Sequence, residues 1–106
     1  MKQAAVAFAI LVAPFGAAAA AVFGSIIVDG RVPGREMPIE LVCGNDVIDR
    51  KLVDASGSYR FTNVPARTNC VVRIEGATAP VVLFPNPTKF DYALTHPAGR
   101  AVLVQR

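Results

Sequence analysis

The sequence predicts an all-β protein: a two-sheet antiparallel β-sandwich of about seven strands, preceded by a signal peptide. Three observations carry that expectation. Short alternating or apolar runs are separated by Gly, Pro, Asp and Asn, and no apolar stripe is long enough at helical spacing to argue for a helix. Two cysteines, Cys43 and Cys70, fall on the apolar side of their respective alternation patterns. Residues 1–21 carry a positive start at Lys2, an apolar run from Ala4 to Ala13 and the small-residue site Ala19-Ala20-Ala21 that a signal peptidase accepts.

The apolar run is interrupted by Pro14, well short of the roughly 20 residues a membrane-spanning helix needs. It is therefore expected to be cleaved. The Ala17 to Ala21 tract offers several cleavage registers, which places the first mature residue at Val22 to within about two positions. No cysteine lies close behind it, so a lipid-modified N-terminus is not expected. The expected organisation is a signal peptide over 1–21 and one domain over 22–106, exported to the periplasm or secreted, and not membrane-spanning once processed.

The strands follow from the punctuation. Val22 to Val28 is apolar until Asp29-Gly30, and Pro33-Gly34 completes the connection to Met37 to Cys43. Val47 to Val53 comes next, then Ser56-Gly57 closes a hairpin into Tyr59 to Asn63. Cys70 to Glu75 alternates cleanly, and Val81 to Phe84 is bounded by Pro80 on one side and Pro85-Asn86-Pro87 on the other. Phe90 to Thr95 and Ala101 to Gln105 complete the set.

Side-chain parity then names the core. Met37, Ile39, Leu41 and Cys43 share one face, while Glu40 marks the opposite face, with Pro38 and Val42, as the one that meets water. In the fifth run Cys70, Val72 and Ile74 alternate with Val71, Arg73 and Glu75, so charge again marks the outside. Both sulfurs point to one interior. A disulfide between Cys43 and Cys70 is the expected state in an oxidising compartment. A reactive or metal-binding thiol pair would want a CxxC spacing or a nearby His, and neither is present.

Size makes such a bridge valuable. Residues 22–106 number 85, a length at which apolar burial and ordering entropy nearly cancel. With Lys2 removed, 10 basic and 8 acidic side chains leave a net charge of +2, spread without any block of like sign. That distribution argues against a nucleic-acid partner, as does export.

The segment Val53-Asp54-Ala55-Ser56-Gly57-Ser58-Tyr59-Arg60-Phe61, followed by Asn63-Val64-Pro65-Ala66, resembles the hairpin of carboxypeptidase regulatory-like domains, also described as transthyretin-like or prealbumin-like sandwiches. There the pattern runs D-x-x-G-x-Y-x-F before a Pro-containing turn. Gly24, the turn from Asp29 to Gly34, and Ile39 with Leu41 look like that family's opening hairpin, so the similarity spans roughly Phe23 to Glu75. Lys89 to Leu94, Gly99-Arg100 and the last apolar strand are similar to the tail of small exported bacterial proteins that carry this domain alone. The resemblance implies a transthyretin-like or Ig-like sandwich with a binding or structural role in the cell envelope, toward an unknown protein or envelope component. The physical logic of the hairpin is independent of it: Asp54 and Ser56 bond turn backbone, and Tyr59 with Phe61 plug the interior.

Catalysis finds little support in these residues. His96 is the single histidine, in the loop Thr95 to Gly99, and Ser25, Ser56 and Ser58 have no G-x-S-x-G elbow around them. Asp91 and Tyr92 are the only titratable cluster near His96 in sequence, and as strand neighbours they should face opposite sides. The resemblance also brings in transthyretin-like hydrolases of hydroxyisourate, which use several His and Arg residues and a terminal Tyr-Arg-Gly-Ser, and intradiol dioxygenases, which hold iron with two His and two Tyr. This chain has neither set. Asp54 and Ser56 lack the further carboxylates of a calcium site, and no nucleotide loop or metal motif is present, so no cofactor, metal or catalytic residue is expected. An alternative role is self-assembly or strand addition through the Val81 to Phe84 stretch, which otherwise serves as core.

Overall fold

The computed structural model describes residues 19–106. Most of the expected leader lies outside that range, and Ala19, Ala20 and Ala21 open the first strand. Nine strands follow in order: β1 Ala19–Val28, β2 Met37–Cys43, β3 Asp46–Val53, β4 Ser58–Pro65, β5 Arg67–Ile74, β6 Ala77–Leu83, β7 Thr88–Lys89, β8 Tyr92–Thr95 and β9 Val102–Gln105. They form two packed sheets, β4-β1-β8-β9 with β7 also on β1, and β3-β2-β5-β6. The all-β sandwich is therefore observed.

One sheet is mixed, contrary to the all-antiparallel expectation. β1 runs parallel to both β7 and β8, with Ile26 opposite Tyr92 and Val28 opposite Leu94. Parallel neighbours need a long crossover, and the whole second sheet supplies it. No local pattern in the sequence encodes such a pairing.

The interior follows parity closely. Ile39, Leu41, Cys43, Val72, Ile74 and Cys70 are all buried, as are Tyr59 and Phe61 from the hairpin. Two predicted burial assignments change, one surface position proving buried and one core position exposed. Val42 is only 7% exposed although its parity is outward, because the register sets it between Val47 and Val71 on the outer face, beside an irregularity at Leu41/Val42. In the Val81 to Phe84 stretch Val81 and Leu83 are core, whereas Phe84 is 47% exposed.

Pro80 lies inside β6 rather than before it. Because β6 is an edge strand, the missing N–H faces no neighbour and the ladder to β5 survives. The Pro80 carbonyl accepts a hydrogen bond from the Tyr92 hydroxyl at 2.8 Å. Tyr92 thereby spans from one sheet to the edge of the other.

The expected strand Phe90 to Thr95 is shortened to β8, with the additional two-residue β7 ahead of it, by the approach of Phe90 to β1. Gly24 makes that approach possible: a Cβ there would collide with the Phe90 carbonyl oxygen. The same carbonyl accepts from the Tyr59 hydroxyl at 2.6 Å, and the Phe90 N–H donates to the Phe23 carbonyl at 2.9 Å. Burial pushes both phenols up, Tyr92 by that cause alone and Tyr59 with added repulsion from Tyr92 and Asp91.

Cys43 and Cys70 form the disulfide, with Cα atoms 4.1 Å apart and directly opposite each other on β2 and β5. The bridge staples two neighbouring strands of one sheet and does not cross between sheets. Its sequence separation of 27 corresponds to about 3 to 4 kcal/mol on the chain-entropy model.

These contacts set three measurable expectations. Replacing both cysteines by alanine should lower the unfolding free energy by about 3 kcal/mol in denaturant titrations, and a change below about 0.5 kcal/mol would show that the staple is dispensable. Tyr92→Phe keeps the ring but orphans the Pro80 carbonyl, so it should cost on the order of 1–2 kcal/mol. Its phenol should ionise only with unfolding, so in wild type the alkaline rise in tyrosinate absorbance should coincide with loss of the β signal in circular dichroism.

Candidate functional site

Three loops converge at one end of the sandwich. The turn after β1 and the turn after β5 each begin with an acidic residue in the left-handed region, Asp29 at φ 50° and Glu75 at φ 52°. Asp29 and Gly30 form a tight two-residue connection across which Val28 and Arg31 exchange backbone hydrogen bonds of 2.7 and 3.1 Å. From the third loop His96 reaches both. Its Nδ1 lies 2.9 Å from Asp29 Oδ2 and its Nε2 lies 2.8 Å from Glu75 Oε1.

Two carboxylates, one at each ring nitrogen, match a doubly protonated imidazolium, the only form with two N–H donors. The hydrogen bond to Glu75 and then that to Asp29 raise the His96 pKa above its ordinary 6.5, against a smaller desolvation cost. The cluster also ties the two sheets together, since Asp29 and His96 flank strands of one and Glu75 joins strands of the other. In the sequence alone His96 is a lone histidine in a loop, Asp29 a turn former and Glu75 the end of a strand. The acidic-Gly dipeptides Asp29-Gly30 and Glu75-Gly76 were the available signal, but their convergence on His96 is set by topology.

A second cluster organises β1 and the β7–β8 junction. Asp91 Oδ1 accepts from the Ser25 N–H at 2.9 Å and from its hydroxyl at 3.1 Å, and Arg106 Nη2 donates to Ser25 Oγ at 2.6 Å. Partial burial works to raise the Asp91 pKa, but the Ser25 bonds and the charges of Lys89 and Arg106 outweigh it and hold the carboxyl low. Asp91 and Tyr92 face opposite sides, as expected. The neighbouring Asp54 is occupied within its own turn, accepting from the Ser56 hydroxyl at 2.7 Å and the Ser58 N–H at 2.9 Å, which lowers its pKa.

On the outer face of the second sheet Glu40 sits between Arg50 and Arg73, with Nε–O distances of 2.7 Å to each. Those two bonds, Arg50's first, lower its pKa. A shallow groove of about 410 Å³ opens where β3 approaches β4, lined by Phe23, Lys51, Leu52, Tyr59 and Arg60. Arg60 stacks over the Phe23 ring at 5.1 Å from its centroid.

Among the described residues no group of three or more His, Cys, Asp and Glu is arranged to hold a metal ion, and no helix is long and apolar enough to cross a membrane. No protein-family model matches the chain, and no curated protein matches it.

The His96 cluster sets a pH dependence. A raised folded pKa means that the contribution is fully present below the ordinary 6.5 and is lost as pH rises through the raised value. Melting temperature should therefore decline in wild type as pH rises above the ordinary 6.5 and through the raised value, and His96→Ala should flatten that decline. The lowered carboxyls, Asp54, Asp91 and Glu40, act in a separate window, adding stability above their ordinary values and losing it in acid. An unchanged slope in the histidine variant would refute the clamp.

Proposed function

We propose that this chain is an exported, non-catalytic β-sandwich module of the transthyretin-like kind that binds or supports another component of the cell envelope. The observation that carries the reading is how its reactive side chains are used. Both ring nitrogens of His96 are engaged by carboxylates, the Ser25 hydroxyl by Asp91 and Arg106, and the Ser56 hydroxyl by Asp54. These groups hold loops and strands in place. What faces solvent is a set of sheet edges and outer faces that carry exposed Leu52, Val102, Val104 and Arg60.

The disulfide supports an oxidising destination, periplasmic or extracellular, because such bridges persist there and are rare in a reducing cytosol. The D-x-x-G-x-Y-x-F hairpin supports the family reading through its geometry: Asp54 closes the turn, and Tyr59 and Phe61 fill the core. Strand addition through a sheet edge is the second reading, favoured by the exposed valines of β9.

Affinity capture from an envelope fraction tests the role. The oxidised protein should retain a component that free protein displaces in a saturable way. A protein that stays monomeric and partnerless across such extracts, or a hydrolytic activity abolished by His96→Ala, would replace a binding role with another.

A further inference from the structure

β1 begins inside the alanine tract rather than after it. Ala19 lies opposite Pro65 and Ala20 opposite Val64 on β4, and Val22 lies opposite Phe61 beyond an irregularity in the register. Between those pairs β4 advances three residues while β1 advances two, so β4 carries one extra residue, a bulge. Asn63 sits within it at φ 55°, a left-handed conformation that is uncommon for any residue with a side chain. The bulge resets parity. Phe61 and Val64, three apart, both turn inward at 0% and 3% exposure, while Thr62 and Asn63 between them face solvent. Ala20 and Val22, two apart, match them at 3% and 0%. What the strained turn at Asn63 achieves is the continuation of the β1–β4 ladder past Val22 to Ala20 and Ala19. A chain whose first residue were Val22 would leave the buried Val64 without a partner strand.

Residue type constrains the same boundary from the other side. A signal peptidase accepts small residues at the first and third positions before the cut. Cleavage after Ala18, Ala19, Ala20 or Ala21 satisfies both, the third position being Gly16, Ala17, Ala18 or Ala19 respectively. Cleavage after Gly16 or Ala17 would place Pro14 or Phe15 there instead. The bond between Ala18 and Ala19 is thus the earliest acceptable one, and of the four it alone leaves β1 whole. A cut one residue later would put the new α-ammonium on Ala20, a core position where an unpaired charge is costly. Ala19 is exposed and can carry that charge in water.

We propose that the export leader is removed by hydrolysis of the Ala18–Ala19 bond, so that the mature chain starts at Ala19 with β1 intact, ahead of the expected Val22. The inference rests on the exported reading above and names the bond that is cut. Water is the co-reactant and the catalyst is a protease of the signal-peptidase class. The amide C–N bond breaks, the water oxygen joins the Ala18 carbonyl carbon to leave a carboxylate, and the two water protons pass to the Ala19 nitrogen, which becomes the α-ammonium. The strand start and the peptidase rule are separate constraints, one set by tertiary pairing and the other by side-chain size, and they meet at one bond.

The full precursor, exported in a bacterial host and read by intact mass and N-terminal sequencing, should start Ala-Ala-Ala-Val-Phe. Ala18→Leu removes the small residue before the cut and should abolish or shift it, whereas Ala21→Leu, at a half-buried position between Ala20 and Val22, should leave it in place. A cut after Ala21 would reverse those two responses. A precursor lacking residues 19–21 keeps Gly16 and Ala18 ahead of the cut and starts at Val22; its mature form should melt roughly 5 °C or more below wild type. A wild-type start at Ala20, Ala21 or Val22, or equal melting of the shortened form, would overturn the proposal and leave export standing. A wild-type chain that stays in the cytosol with its leader attached would remove the exported reading as well.

Discussion

The Cys43–Cys70 bridge ties together the two central strands of one sheet, and everything else about the molecule's cohesion has to be arranged around that fact. A bridge between sheets would have fixed their separation covalently. A bridge within a sheet fixes the register of β2 against β5 instead, and with it which residues of four strands face inward. Ile39, Leu41, Val72 and Ile74 then present one apolar surface, against which Ile26, Phe61, Tyr92 and Leu94 of the other sheet are buried. Sheet-to-sheet union is left to apolar burial and to a few polar contacts that cross between the layers.

Those crossing contacts come from two side chains: Tyr92 donates across to Pro80, and His96 grips carboxylates on turns from both sheets, while Tyr59 fixes the Phe90 carbonyl beside β1 within a single sheet. Tyr92 does two things with one hydroxyl. It satisfies a carbonyl that proline had left facing outward on an edge, and in doing so it denies that carbonyl to an incoming strand. The closure of β6 and the anchoring of β8 are thus one interaction.

Much of this architecture was readable from residue order, and the parts that were not share a cause. β2 was bounded correctly because Glu40 interrupts an otherwise apolar alternation, and the same logic in Cys70 to Ile74 brought both sulfurs to one face. Proline at position 80 was read as a boundary because a lost donor breaks a central ladder, whereas only an edge strand tolerates it, and edge status is a property of the whole sheet. The parallel pairing of β1 with β8, the burial of Val42 between two valines and the shortening of β8 behind Phe90 all depend on neighbours remote in the chain. The His96 cluster is the clearest case, with partners 67 and 21 residues away. Each of its turns was legible alone, and their meeting was not.

Edge management and loop bracing together account for where the charge of this protein resides. Asp49 and Lys51 sit on an edge strand opposite core positions, Glu40 is held between two arginines on an outer face, and Asp91 is held by Ser25 beside Lys89 and Arg106. These carboxylates are thereby matched by cations or neighbouring hydroxyl and backbone donors, whereas Arg60 and Arg100 are claimed by no carboxylate among the described ion pairs. Arg60 is absorbed by the face of Phe23. Arg100, exposed ahead of β9, has no such outlet, so the unmatched positive charge of the sandwich lies on its surface and takes no part in holding the two sheets together.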